Sequence, residues 1–224
     1  MGDVNQLTYV NRQASELQGP FLEVGSKNYG STQNLRHSFA DDSDYVGIDM
    51  EAGDGVDKIL DLTRDFAEID LELKHKRFST IFCLSVLEHC KNPFKMAENL
   101  TCLLKDHGKI ILSVPFSWKI HAYPDDYWRF TPAAIRLLFP KIEFDARRCV
   151  ISTSRKGDLN VITDDNIGRI SFSFSHYREQ NHLLRGISAK LLKSLSYIGM
   201  FRWLAGYSYV LAPTNIIMTG TRRD

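Results

Sequence analysis

The densest concentration of reactive side chains lies between Pro115 and Phe130, in the stretch PFSWKIHAYPDDYWRF. His121, Asp125, Asp126 and Arg129 stand there among Phe116, Trp118, Tyr123, Tyr127, Trp128 and Phe130. Ordinary solvated connectors do not mix aromatic and ionisable residues so closely. Such a mixture suits a pocket with an apolar wall and a few polar groups. Imidazole titrates near neutral pH, which makes His121 the best-placed general base; the alternative is a histidine hydrogen-bonded within the loop. Asp126 is a second candidate, as base or substrate anchor. Arg129 has the fork to grip a carboxylate or phosphate on a substrate, although bracing Asp125 or Asp126 is its preferred role. Tyr123 and Tyr127 are candidate substrate contacts, as is His89 from an earlier loop; Tyr127 and Trp128 serve packing equally well. His121 with Asp125 and Asp126 falls short of a dedicated divalent-metal site, so no metal is expected.

Three further segments carry chemical potential. Glu23-Val24-Gly25-Ser26-Lys27-Asn28-Tyr29-Gly30 follows an apolar run, and glycine after a strand lets the backbone approach a ligand. Gly25 and Gly30 are separated by four residues, so the dinucleotide fingerprint GxGxxG is absent and a nicotinamide dehydrogenase is disfavoured. Asp49 closes the next apolar run, and a carboxylate there can accept from both hydroxyls of a ribose. Leu84-Ser85-Val86-Leu87-Glu88-His89 marks a third run passing into its loop.

These segments need a scaffold, and the apolar pattern supplies one. Strands are expected at residues 20–24, 44–49, 56–60, 78–84, 109–114 and 214–221, several as continuous apolar runs of the kind covered on both faces. Asn92-Pro93 and Thr131-Pro132 are helix starts, each an N-cap residue followed by proline at the first helical position. Strand and helix in alternation predict a Rossmann-like doubly wound sheet, α/β in class. Its ligands bind beyond the carboxyl ends of the strands, where the segments above fall.

Glu23-Val24-Gly25-Ser26, Val46-Gly47-Ile48-Asp49 and Ser85-Val86-Leu87-Glu88-His89, in that order, resemble the motif set of class I S-adenosylmethionine-dependent methyltransferases. The likeness is closest to the methyltransferase type 11 group, whose members often carry a stretch like His121 to Thr131, and it covers roughly residues 20–140. The resemblance implies a seven-stranded sheet in the order 3-2-1-4-5-7-6 with the last strand antiparallel. It implies S-adenosylmethionine as cofactor, with S-adenosylhomocysteine as product. Glu23, Gly25 and Ser26 would frame the methionine portion, and Asp49 would hold the ribose with Met50 against the adenine. Asp61 and Leu62 would flank the adenine edge, and Leu84 and Ser85 would lie near the sulfonium. Lys27 departs from the family, where glycine is usual, and its side chain would either block the cofactor or swing outward. Ser113-Val114-Pro115-Phe116 superficially matches the NPPY-like motif of amino-methylating nucleic-acid enzymes, but that motif follows the fourth strand and this segment the fifth. Relatives with such a 121–131 stretch imply a small-molecule or glycan acceptor. A non-catalytic scaffold on the same fold is the alternative reading.

Composition sets the outer limits. The 224 residues are 43% hydrophobic and 25% charged with a formal net charge of +1, enough for one domain and without the basic excess of a nucleic-acid binder. No apolar run reaches the ~18 residues of a bilayer span, and the opening residues lack the order of a secretory signal. Cys83, Cys90, Cys102 and Cys149 form no CxxC pair, and a reduced, cytoplasmic chain is expected. The chain is read as one methyltransferase domain, with core 20–150 plus 209–224 and an insertion or cap at 151–208. Within it, residues 182–205 should be helical, with Leu184, Ile187, Leu191, Leu195 and Ile198 on one face. Arg185, Lys190, Lys193 and Arg202 make that helix basic, so a membrane surface is a conceivable partner; leucines packed on the domain are the preferred reading.

Overall fold

The computed structural model describes residues 4–30, 35–39, 44–121, 125–153, 155–163, 169–171, 173–179, 181–199, 202, 209–211 and 214–223. The first half of the chain alternates as its apolar runs predict: β1 (Phe21–Val24), β2 (Tyr45–Asp49), β3 (Lys58–Ile59), then β4 (Phe78–Leu84) and β5 (Leu104–Ser117). The helices are α1 (Val4–Asn11), α2 (Phe66–Glu72), α3 (Pro93–Leu103) and α4 (Pro132–Leu138). Both predicted helix starts form. Asn92 accepts from the Lys95 amide and Thr131 from that of Ala134, each with proline at the first helical turn.

β6 (Ile142–Thr153), β7 (Leu159–Val161) and β10 (Thr214–Arg222) complete one sheet in the order β3-β2-β1-β4-β5-β10-β6-β7. β1, β2, β3, β4 and β5 run parallel, and β10 is antiparallel to both β5 and β6. This is the expected order with one strand added: β7 extends the sheet by a hairpin to β6. Residues 151–153 and 159–161, expected in the insertion or cap, therefore lie on strands of this sheet.

Side chains alternate between two apolar layers, as the period of a strand demands. Leu22, Val24, Ile81, Cys83, Leu112, Val114, Ile216 and Met218 enter one layer with the buried residues of α3 and α4. Phe21, Phe82, Leu84, Ile111 and Ile217 enter the other, which Leu7, Tyr9 and Val10 of α1 help to fill. Helix α1 was not expected from the sequence. It is anchored by polar contacts: Asn5 donates to the carbonyls of Thr153 and Arg155, and the Tyr9 hydroxyl meets both Thr219 and the Arg148 carbonyl.

Thr163–Pro213 forms a second compact unit. It holds the two-stranded sheet of β8 (Arg169–Ser171) with β9 (Tyr209–Leu211), and helices α5 (Phe174–Glu179) and α6 (Leu183–Leu195). α6 buries Gly186 and Ala189, and a side chain at 186 would meet the Phe174 ring at 3.0 Å. Leu184, Ile187, Leu191 and Ile198 are instead exposed, Leu184 by 82%. Within this unit the helix packs by its small residues. Among the described residues no helix is long and apolar enough to cross a membrane. The four cysteines are free thiols, and Cys83, Cys90 and Cys149 are buried.

Candidate active site

The turn after β1 is stitched to the end of β2. The amides of Gly25 and Ser26 both donate to the Ile48 carbonyl, at 2.9 and 3.1 Å. Gly25 has φ +73°, and a Cβ there would stand 2.6 Å from Val86 Cγ2. Glycine is required twice over, for the backbone angle and for the close approach of the turn after β4. Asp49 receives one amide on each oxygen, Lys27 N–H on Oδ2 at 3.2 Å and Glu51 N–H on Oδ1 at 3.1 Å. Those bonds orient the carboxylate and leave each oxygen a further lone pair. Met50 beside it is 66% exposed. The Lys27 ammonium is drawn to Glu51 at 2.6 Å and lies 5.2 Å from the centre of the Tyr29 ring.

The remaining residues expected around a cofactor are placed less uniformly. Ser26 is buried and its hydroxyl has no hydrogen-bond partner. The Glu23 carboxylate accepts from the Tyr45 hydroxyl at 2.7 Å, and burial pushes its pKa up. Asp61 is occupied in its own turn, accepting from the amide and hydroxyl of Thr63 at 2.8 and 2.7 Å. The Leu62 and Leu84 side chains are buried in opposite apolar layers, so either could border a ligand only through its backbone. Ser85 sits at φ +56°, an uncommon angle for a residue with a side chain. It is held there by its amide bond to the Ser113 carbonyl and by Gln6, whose amide reaches Ser85 Oγ at 2.7 Å and Ser113 Oγ at 2.8 Å. Two supports were missed by sequence reasoning. Gln6 is one; buried Asn99, which ties the carbonyls of Leu62 and Arg64 to α3, is the other. Nothing in the local pattern of either marks its distant partner.

The second half of the site is the helical turn Leu87–His89, onto which the described part of the aromatic loop docks. Tyr127 N–H donates to the Glu88 carbonyl at 2.8 Å, and the Trp128 indole to that of Cys90 at 2.8 Å. His89 Nδ1 stands 2.7 Å from the Asp125 carbonyl. A carbonyl can only accept, so Nδ1 carries the proton and Nε2 presents its lone pair. Burial also holds the His89 pKa below its ordinary value. His121 packs edge-on against His89 with ring centres 4.9 Å apart, and its Nδ1 lies 3.0 Å from Asp126 Oδ2. Glu88 is 1% exposed, and burial pushes its carboxyl up to about 8.

Asp126 was a candidate base, but its carboxylate is spent on the loop. It takes the Arg129 guanidinium on both oxygens and the His121 amide on Oδ2, and Arg129 holds it well below the usual carboxylate range. So low a proton affinity makes it an orienting group. Arg129 also donates to the carbonyls of Trp118, Lys119 and Trp128, which fits the bracing role rather than a substrate clamp. Tyr127 is exposed and donates to Asp125 at 2.7 Å. Tyr123 lies outside the described residues. The structure thus gathers His89, His121 and Glu88 at one point, with Asp126 and Arg129 behind them.

No protein-family profile matches the sequence, and no curated protein sequence matches it significantly. Solved structures do. The N-methyltransferase NodS from Bradyrhizobium japonicum WM9 gives a TM-score of 0.53 at 10% identity, over 99% of this chain and 94% of that one. NodS is also known in complex with S-adenosyl-L-homocysteine, and that structure gives 0.52. A SAM-dependent methyltransferase from Archaeoglobus fulgidus gives 0.50 at 12% identity, over 96% of this chain and 92% of that one. The [4+2]-cyclase SpnF gives 0.53 at 10% identity, over 98% of this chain and 81% of that one, so one architecture serves more than one reaction. Sheet order, the antiparallel placement of β10 and these likenesses agree: the chain has the class I S-adenosylmethionine-dependent methyltransferase fold.

Proposed function

We propose that this chain is an enzyme that transfers a methyl group from S-adenosylmethionine to a small-molecule or glycan acceptor. The observation that carries the reading is Asp49, a strand-end carboxylate oriented by two backbone amides with lone pairs left for two vicinal hydroxyls. Beside it, Met50 is exposed and could cover a flat ring, and the positive-φ turns at Gly25 and Ser85 bring backbone to the same edge. The NodS complex with S-adenosyl-L-homocysteine supports the choice of cofactor on this fold.

When bound, the cofactor supplies an electrophilic methyl group. The chain's own residues hold and aim. Asp49 takes the ribose and Met50 lies on the adenine, with Asp61 and the Leu62 backbone at its edge. Glu23, Gly25, Ser26, Leu84 and Ser85 border the amino-acid portion. At the acceptor end, His121 activates the incoming nucleophile. Asp126 sets the position of its ring and Arg129 keeps Asp126 ionised. His89 and Tyr127 border the acceptor, and positioning of this kind supplies much of the acceleration in a displacement reaction. Residues 1–224 act as one methyltransferase domain that carries Thr163–Pro213 as an inserted unit.

Calorimetric titration with S-adenosylhomocysteine tests the cofactor, and release of that product across a panel of hydroxylated and amino acceptors, glycans included, tests the reaction. Micromolar binding and turnover with one acceptor class are expected. No binding at millimolar concentration would leave a scaffold on a methyltransferase fold.

A further inference from the structure

Buried polar atoms without partners are rare in folded proteins, and each calls for a reason. Among the described residues, two such atoms fall on one cluster: Glu88 Oε2 and His89 Nε2. Glu88, His89 and His121 offer ligand atoms that all lie within 4.8 Å of one another. We propose that Glu88, His89 and His121 form a binding site for a divalent transition-metal ion at the carboxyl edge of the sheet, beside the turn after β4.

The chemistry of the trio selects the ligand. Two imidazoles and one carboxylate suit zinc, manganese, iron or cobalt, whereas magnesium and calcium prefer all-oxygen shells. His89 is already in the tautomer a metal needs, because the Asp125 carbonyl takes the Nδ1 proton and leaves Nε2 as the donor. His121 has a carboxylate behind its ring, Asp126 at 3.0 Å from Nδ1, the arrangement that commonly orients metal-bound histidine. The nearby cation, Arg129, is neutralised by Asp126 at 2.5 Å and so does not repel a second positive charge as a bare guanidinium would. Glu88 is the strongest argument. A carboxyl with 1% exposure and an oxygen without a partner is a costly group to bury, and a cation at that oxygen removes the cost. Ligand atoms about 2.0–2.2 Å from zinc stand roughly 3.5 Å apart, so the trio would close by about an ångström through side-chain rotation.

The composition of this cluster differs from the one weighed on sequence grounds. Asp125 and Asp126 are not ligands; the one lends its carbonyl and the other a supporting carboxylate. The site itself stands on its three side chains. Its role in activating the acceptor rests on the methyl-transfer reading. There the ion would hold an acceptor with oxygen donors and act as Lewis acid, so that His121 works through the metal rather than as a free base.

The test is metal titration of the full chain, stripped with chelator and free of cofactor, using Zn²⁺, Mn²⁺ and Mg²⁺ separately. Co²⁺ serves as a visible-absorption reporter of mixed nitrogen and oxygen ligation. One Zn²⁺ or Mn²⁺ per chain is expected, weakened at least tenfold in both Glu88→Gln and His121→Ala, with His75→Ala unchanged. His121 is on a loop and Gln is isosteric with Glu, so both variants should fold; circular dichroism and S-adenosylhomocysteine titration check that they do. No binding, binding retained in both variants, or Mg²⁺ held as tightly as Zn²⁺ would overturn the proposal. Homocysteine-cofactor binding without metal would leave the methyl-transfer reading standing alone, and metal binding without that cofactor would do the reverse.

Discussion

Asp126 and Arg129 form a two-pronged ion pair, with guanidinium nitrogens 2.5 and 2.7 Å from the two carboxylate oxygens. The pair closes the loop that presents His121. Asp126→Asn should loosen the loop at a cost of about 1.5–3 kcal/mol, the usual range for a hydrogen bond to a charged group. Urea unfolding would show the lost stability, and turnover should fall while cofactor affinity stays the same. Because the Asp126 pKa is depressed, the wild-type contribution is complete above about pH 4, the unfolded value, and fades only below it.

Gly25→Ala meets two penalties at once. The positive φ costs about 1–2 kcal/mol for any residue with a Cβ, and the new methyl would press on Val86 Cγ2. Reduced thermal stability and loss of S-adenosylhomocysteine binding are the expected outcome. Unchanged binding would show that the turn does not border the cofactor.

Asp49→Ala removes the proposed ribose grip and also frees the amides of Lys27 and Glu51. A charge-assisted contact of this kind corresponds to about a tenfold to hundredfold loss of affinity. Calorimetry with S-adenosylhomocysteine measures it directly.

Lys27→Ala separates a blocking lysine from a harmless one. Its ammonium is engaged by exposed Glu51, and exposed pairs of this sort contribute little. Cofactor affinity should shift by less than about fivefold. A large gain on truncation would mean that the lysine obstructs the crevice.

Glu88 makes stability depend on pH in a direction opposite to Asp126. Its carboxyl stands at about 8 in the folded chain, against about 4.3 in an unfolded one. Between those values the folded chain keeps a proton that the unfolded chain has released, so stability falls as pH rises, by at most about 1.4 kcal/mol per unit. With metal chelated, urea midpoints at pH 5.5 and 7.5 should differ in wild type, and Glu88→Gln should narrow the gap.

Legibility in the sequence followed the physics of each element. Phe78–Leu84 reads as a strand because both faces are largely buried, which leaves an apolar run from Ile81 to Leu84. Asp49 and Gly25 were legible because strand ends and positive φ restrict residue choice. Glu88 was noticed only as a loop marker, since the loop that docks on its turn through Tyr127 and Asp125 comes from thirty-odd residues away. Helix α1 spans only eight residues, and beside buried Leu7, Tyr9 and Val10 it is held by polar bonds of Asn5, Gln6 and Tyr9 to distant residues that a periodicity scan does not register. The leucines of α6 follow a helical period correctly, but period alone does not say which face is covered; here Gly186 and Ala189 are the buried residues.

Strand β10 lies between β5 and β6, although nearly a hundred residues separate it from the end of β5 and about sixty from the end of β6. During synthesis on the ribosome both neighbours therefore emerge with open hydrogen-bonding edges long before their common partner exists. In a nascent chain of this design those edges stay unpaired by β10 until Thr214–Arg222 arrives, and a premature stop before that segment would remove an interior plank of the sheet rather than trim a tail.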